Sequence, residues 1–114
     1  MYRVISNHPN YVVTETGRVY RILTDGCYSE LLPDVSNGYF RYDLDGKKEY
    51  AGRLVLEAFD PVDDPSLKVF YIDGIKTNCH IDNLVWLTPS EVQRYSSYTI
   101  EYRVQLLRGL RGRG

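Results

Sequence analysis

Residues 84–91 read Leu-Val-Trp-Leu-Thr-Pro-Ser-Glu and pass from an apolar run into a helix start within one residue. A short apolar run next to turn formers is the pattern of a buried strand. Thr88 then offers an N-cap oxygen, Pro89 suits the first helical position, and Glu91 closes a capping box. A second strand is expected over 68–72, ahead of the Asp73-Gly74 turn. The block therefore reads strand, long loop, strand, capped helix, which commits the chain to an α+β architecture.

The residues ahead of it are β-rich. Residues 11–13 and 19–22 flank Thr14-Glu15-Thr16-Gly17, where Gly17 is free to take positive φ, and together they predict a hairpin. A third strand is expected over 28–32, ended by Pro33. Phe40, Tyr42 and Leu44 alternate with Arg41 and Asp43, the pattern of a half-buried strand. Asp45-Gly46 is a strong hairpin signal, with residues 47–50 returning from it. Leu54, Val55, Ala58 and Phe59 stand at helical spacing and predict a short helix over 53–59. After the capped helix, Ser96-Ser97 is a break, and Ile100, Val104 and Leu107 predict a second helix to about Arg108.

Charge is unevenly spread along the 114 residues. Residues 1–50 hold six Lys/Arg against seven Asp/Glu, and residues 51–100 hold four against seven. Residues 101–114 hold Arg103, Arg108, Arg111 and Arg113 against Glu101 alone. Phosphate binding needs clustered cations. The candidates are those tail arginines and a cluster of Arg18, Arg21, Arg41, Lys47 and Lys48 on one sheet face. Cys27 and Cys79 match no zinc or redox spacing and are expected as free thiols. No apolar signal core or membrane-length run is present, so a cytoplasmic location is expected.

The block Val69-Phe70-Tyr71-Ile72-Asp73-Gly74, Lys76-Thr77-Asn78-Cys79-His80, Asn83-Leu84-Val85-Trp86-Leu87-Thr88 and Glu91-Val92 resembles the ββα-metal core of HNH (His-Asn-His) endonucleases of the homing type. Upstream, Gly38 to Leu44 and Arg53-Leu54-Val55-Leu56-Glu57-Ala58-Phe59 are similar to the segment leading into such cores. The stretch from Tyr11 to Val19 resembles the NUMOD-type module, a DNA-associated element found before them. The resemblance implies a NUMOD-like β-rich module over 1–50, an HNH-like ββα core over 51–95, and a C-terminal helix with a basic Arg/Gly tail over 96–114. It also implies a phage or mobile-element setting, and hence a host cytoplasm.

In that family a histidine ending the first strand takes a proton from the attacking water. A divalent metal stabilises the leaving oxygen, held by an Asp or Asn before that histidine and by an Asn or His on the helix. Carried over, the base position is Tyr71, and tyrosine titrates near pH ~10. The first ligand position is Phe70, and the helix position, nine residues beyond Asn83, is Val92. Neither has a donor atom. The middle Asn, which shapes the loop, is kept as Asn83, and a histidine often found before Arg-Leu-Val is replaced by Gly52.

The expected function is therefore binding without cleavage, with no metal or other cofactor, no membrane and no small-molecule substrate. The first reading is a nucleic-acid-binding protein, with duplex DNA as partner. The second is a protein-binding inhibitor or accessory factor, with Tyr71 and His80 as candidate contacts. The third is a residual nuclease served by His80.

Overall fold

The computed structural model describes residues 1–108 and 110. Nine strands and three helices follow in the order β1 (Tyr2–Ile5), β2 (His8–Thr14), β3 (Val19–Ile22), β4 (Tyr28–Glu30), β5 (Asp34–Ser36), β6 (Tyr39–Leu44), β7 (Lys47–Tyr50), α1 (Ala51–Phe59), β8 (Lys68–Tyr71), β9 (Leu84–Leu87), α2 (Pro89–Ser96) and α3 (Ile100–Leu107). A short 3-10 turn, Ile81–Asn83, leads into β9. The strands form three antiparallel sheets, β1-β2-β3-β4, β5-β6-β7 and β8-β9. The architecture is α+β, with antiparallel hairpins first and a strand-strand-helix unit after them.

The turns explain the sheet order. Asp45 (φ 58°) and Gly46 (φ 89°) both sit at positive φ between β6 and β7, the paired left-handed residues of a tight hairpin. Asn37 (φ 54°) and Gly38 (φ 84°) do the same between β5 and β6. That second Asn-Gly turn adds β5, a strand with only Val35 as a strong β former. The first sheet also gains β1, which pairs along β2 from Tyr2↔Thr14 to Ile5↔His8. His8 opens β2 and bonds Glu49 Oε2 at 2.8 Å.

One core joins the first and second sheets to the strand-strand-helix unit. Tyr11, Val13 and Val19 from the first sheet meet Tyr42 and Leu44 from the second, Leu54 and Val55 from α1, and Leu84 and Trp86 from β9. Trp86 is fully buried and its indole N–H donates to the Asp60 carbonyl at 2.7 Å, tying the end of α1 to β9. Burying a large apolar side chain is worth about 1.5–3 kcal/mol, so these contacts are what fix the sheets against α1.

Register in the last hairpin sets the two sides of the site. Val69 faces Trp86 and Tyr71 faces Leu84, while Phe70 faces Val85 on the other side. The first side joins the shared core. The second builds a separate cluster of Phe70, Ile72, Val85, Leu87 and Leu107, with Val92, Tyr95 and Val104 packed against it. The capping box at the start of α2 forms as its residues dictate: Glu91 N–H donates to Thr88 Oγ1 (3.2 Å) and Thr88 N–H to Glu91 Oε1 (2.9 Å).

Candidate nucleic-acid interface

Phe70 and Val92 lie in the same apolar cluster, so strand and helix do bring these two positions together. The contents are hydrocarbon, and α3 closes the cluster from outside: Leu107 is only 1% exposed and Val104 packs beside it. Arg103, expected to track phosphates, lays its guanidinium over the Phe70 ring at 5.6 Å, with a buried Nε that has no hydrogen-bond partner among the described residues. A hard divalent cation wants oxygen donors, which neither Phe70 nor Val92 offers. Among the described residues, no three His, Cys, Asp or Glu side chains converge to hold a metal ion. The residues present do not fit the metal that the resemblance implies.

Tyr71 points to the opposite side. Its ring stands 5.6 Å from that of Tyr39, and its hydroxyl lies against the first turn of α1. A β-carbon added at Gly52 would run into that hydroxyl and lie 2.8 Å from Cζ. Gly52 and Tyr71 are therefore complementary in size. Burial, with Cys79 and Tyr39 nearby, pushes the Tyr71 phenol far above its ordinary range, so it stays protonated at neutral pH. A neutral phenol of raised pKa does not take a proton from water. Burial also pushes the Cys79 thiol up to about 11, partly offset by its hydrogen bond with Tyr71. Cys79 packs so closely on Gly17 that a β-carbon there would sit 2.6 Å from its own. Cys27 is exposed, and both cysteines are free.

Asn83 is 5% exposed and organises the loop between β8 and β9. Its Nδ2 donates to Asp73 Oδ1 (2.9 Å) and the Asn78 carbonyl (3.0 Å), and its Oδ1 accepts from the Asp73 N–H (3.0 Å). Asp73 also accepts from Asn78 Nδ2 (2.8 Å) and the Ile75 N–H (2.8 Å). Burial alone would raise its pKa, but these bonds outweigh burial and hold the carboxyl below its ordinary range.

His80 caps the 3-10 turn, its Nδ1 accepting from the Asp82 N–H at 3.1 Å. The residue lines a shallow groove with Thr14, Arg18 and Tyr20, against the first sheet, away from the Tyr71 cleft.

The basic candidates are spread over two sheets. Arg18 and Arg21 belong to the first sheet region and Arg41, Lys47 and Lys48 to the second. Pleating puts Lys47 and Lys48 on opposite faces of β7. Arg18 pairs with Glu30 (3.6 Å), Arg41 with Asp34 (3.1 Å), and Lys48 with Asp34 (3.2 Å) and Asp43 (3.5 Å). The bonds from Arg41 and Lys48 hold the Asp34 carboxyl below its usual range, against the opposing effect of desolvation. Arg108 is exposed just after α3, and Arg111 and Arg113 lie outside the described residues.

The structure adds a feature that the candidate list lacked. Tyr39, Tyr50 and Tyr71, with Asn37, Arg53, Lys68 and Val69, line an open cleft of about 280 Å³ between the second sheet, α1 and β8. The signal was partly present: Tyr39 lies two residues before Arg41, the Cα partner of Tyr50, so both rings are on the outer face of that sheet.

The family model described as HNH endonuclease matches residues 49–94, which spans β8, the loop, β9 and most of α2. No curated protein matches the chain. Among solved structures, the chain is similar to the protein in "DNA binding and cleavage by the HNH homing endonuclease I-HmuI", with a TM-score of 0.68 and 26% identity. The match covers 93% of this chain and 65% of that one, so the chain spans just under two thirds of its relative's length. No helix is long and apolar enough to cross a membrane among the described residues. The chain is HNH-endonuclease-like, in sequence over its central block and in fold over 93% of its length.

Proposed function

We propose that this protein binds nucleic acid, with duplex DNA as the first partner, and does not cleave it. One observation carries the reading: Phe70 and Val92, the two positions where the resemblance calls for metal ligands, are joined in an apolar cluster sealed by Leu107. Tyr71, at the base position, is a protonated phenol wedged against Gly52. Metal-assisted hydrolysis needs a base and a held cation, and each of these positions carries a group unable to serve. Asn83 keeps the loop in shape, so the groups that support geometry persist where the groups for chemistry do not. The NUMOD-like reading of 1–50 and the phage setting belong to the same proposal.

Anisotropy of a labelled duplex across a salt series, without divalent metal, tests binding. The expected result is affinity that falls steeply and linearly in log salt, the signature of phosphate contacts. No binding at low salt would end the nucleic-acid reading.

A protein partner is favoured by one separate observation. Tyr2, Val4 and Tyr28 are exposed on the first sheet, and Tyr2, Val12, Tyr20 and Tyr28 line a groove of about 230 Å³. Aromatic clusters of this kind supply binding hot spots. Stoichiometric copurification of one protein that survives nuclease treatment would select this reading.

A further inference from the structure

Three rings converge in the cleft between the second sheet, α1 and β8. Tyr39 lies 5.8 Å from Tyr50, edge to face, and 5.6 Å from Tyr71. Tyr71 is anchored from beneath by Gly52, whereas Tyr50 is 41% exposed at the mouth. At about 280 Å³ the cleft lies just below the usual range for small-molecule sites, so it suits a single flat ring.

The charged side chains that line the cleft are cations. Arg53 and Lys68 line the cleft, and Lys76 places its Nζ 4.9 Å from the Tyr39 ring centre. Among the described residues, no carboxylate belongs to the lining. Elsewhere on the sheets Arg18, Arg41 and Lys48 are held by Glu30, Asp34 and Asp43. Arg53 is steadied by Glu57 through its Nε (2.6 Å) and by the Trp86 ring beneath it (5.6 Å). A rigid guanidinium and an exposed ammonium beside exposed ring faces match a planar group carried on a phosphate backbone. Within paired duplex the ring faces are stacked on one another, so only an unpaired base can offer one.

We propose that this cleft receives a single unpaired nucleobase of a DNA strand, stacked on Tyr50 with Tyr39 against its edge, and with Arg53 and Lys68 meeting the adjacent phosphates. The inference rests on the nucleic-acid reading above and narrows it to a preference for bulged or single-stranded sites.

The test compares three labelled probes by anisotropy at one salt concentration: a paired duplex, the same duplex with one bulged thymine, and oligothymidine. The wild-type protein is expected to bind the bulged and single-stranded probes more tightly than the paired duplex by about 5- to 100-fold, the effect of one base–aromatic stack. Tyr50→Ala is expected to abolish that preference. Tyr39→Ala serves as the second variant, and a thermal melt of each confirms that it is folded. Equal wild-type affinity for paired and bulged probes overturns the inference and leaves duplex binding standing. Loss of affinity for all probes alike in both folded variants does the same. Failure of the wild type to bind any probe overturns the inference together with the reading beneath it.

Discussion

Replacing Gly52 by alanine isolates the contact that fixes Tyr71. In an ordinary helix Gly→Ala is favourable by ~1 kcal/mol, because glycine loses the most backbone freedom on folding. Here the added β-carbon meets the Tyr71 hydroxyl and lies 2.8 Å from Cζ, with Tyr39 and Cys79 beside the ring. Overpacking of this kind costs about 1–3 kcal/mol. The two effects oppose each other, and at the middle of that range packing wins by about 1 kcal/mol, a Tm fall of roughly 4 °C for a domain of this size. In a Tyr71→Leu background the obstruction is gone, and Gly52→Ala becomes stabilising by ~0.5–1 kcal/mol. The coupling between the two sites is then about 2 kcal/mol. Urea unfolding of wild type, both single variants and the double variant reads the cycle directly, with m-values checked for constancy. A neutral or stabilising Gly52→Ala in the wild-type background would refute the wedge and free Tyr71 to move.

Other consequences are simpler to measure. Cys27 is exposed whereas Cys79 is 4% exposed with its thiol pushed up to about 11, so at pH ~8 one thiol reacts quickly with a disulfide reagent and the second only on unfolding. Two fast thiols would show that the Cys79 pocket opens. Truncating Leu107 to alanine removes a side chain that is 1% exposed and is expected to cost about 2–5 kcal/mol. Hydrogen exchange should then accelerate in α3 first, and unchanged exchange would mean that α3 does not seal the Phe70 cluster. Asp73 has a carboxyl held below its ordinary range in the fold, so its stabilisation is full above the unfolded-state pKa and is lost as pH falls through the folded one. The urea midpoint of wild type is expected to drop more between neutral pH and pH ~3 than that of Asp73→Asn, and equal drops would remove the Asn83–Asp73 network from the account.

What could be read from the sequence was what local chemistry decides. Thr88 and Glu91 marked the start of α2 because a capping box needs only four residues of context. Asp45-Gly46 marked the β6–β7 turn for the same reason, and Asn37-Gly38 carried an equal signal that predicts β5 once it is noticed. β1 was not legible, since Tyr2 to Val4 are exposed and the strand exists through its pairing with β2. The pairing of Phe70 with Val92 could be placed through family spacing, but the sealing by Leu107 and the stacking of Arg103 depend on where α3 docks. Arg103 read as a phosphate-binding tail charge because a helix of mixed composition does not announce its buried side. The aromatic cleft escaped notice because it is assembled from β6, β7, α1 and β8, and no single segment holds enough of it. Gly52 stood out only as a missing histidine. Its fit to Tyr71 appears once eighteen intervening residues have folded back.

The central claim is loss of cleavage with retention of binding, and a plasmid assay meets it head on. Supercoiled DNA is incubated with saturating protein and magnesium or manganese, alongside His80→Ala and the triple variant Phe70→Asp, Tyr71→His, Val92→Asn. The account predicts that wild type leaves the plasmid supercoiled at concentrations where it is fully bound. Metal-dependent nicking by the wild type that disappears in His80→Ala would contradict it and place a working base where the structure shows only a cap.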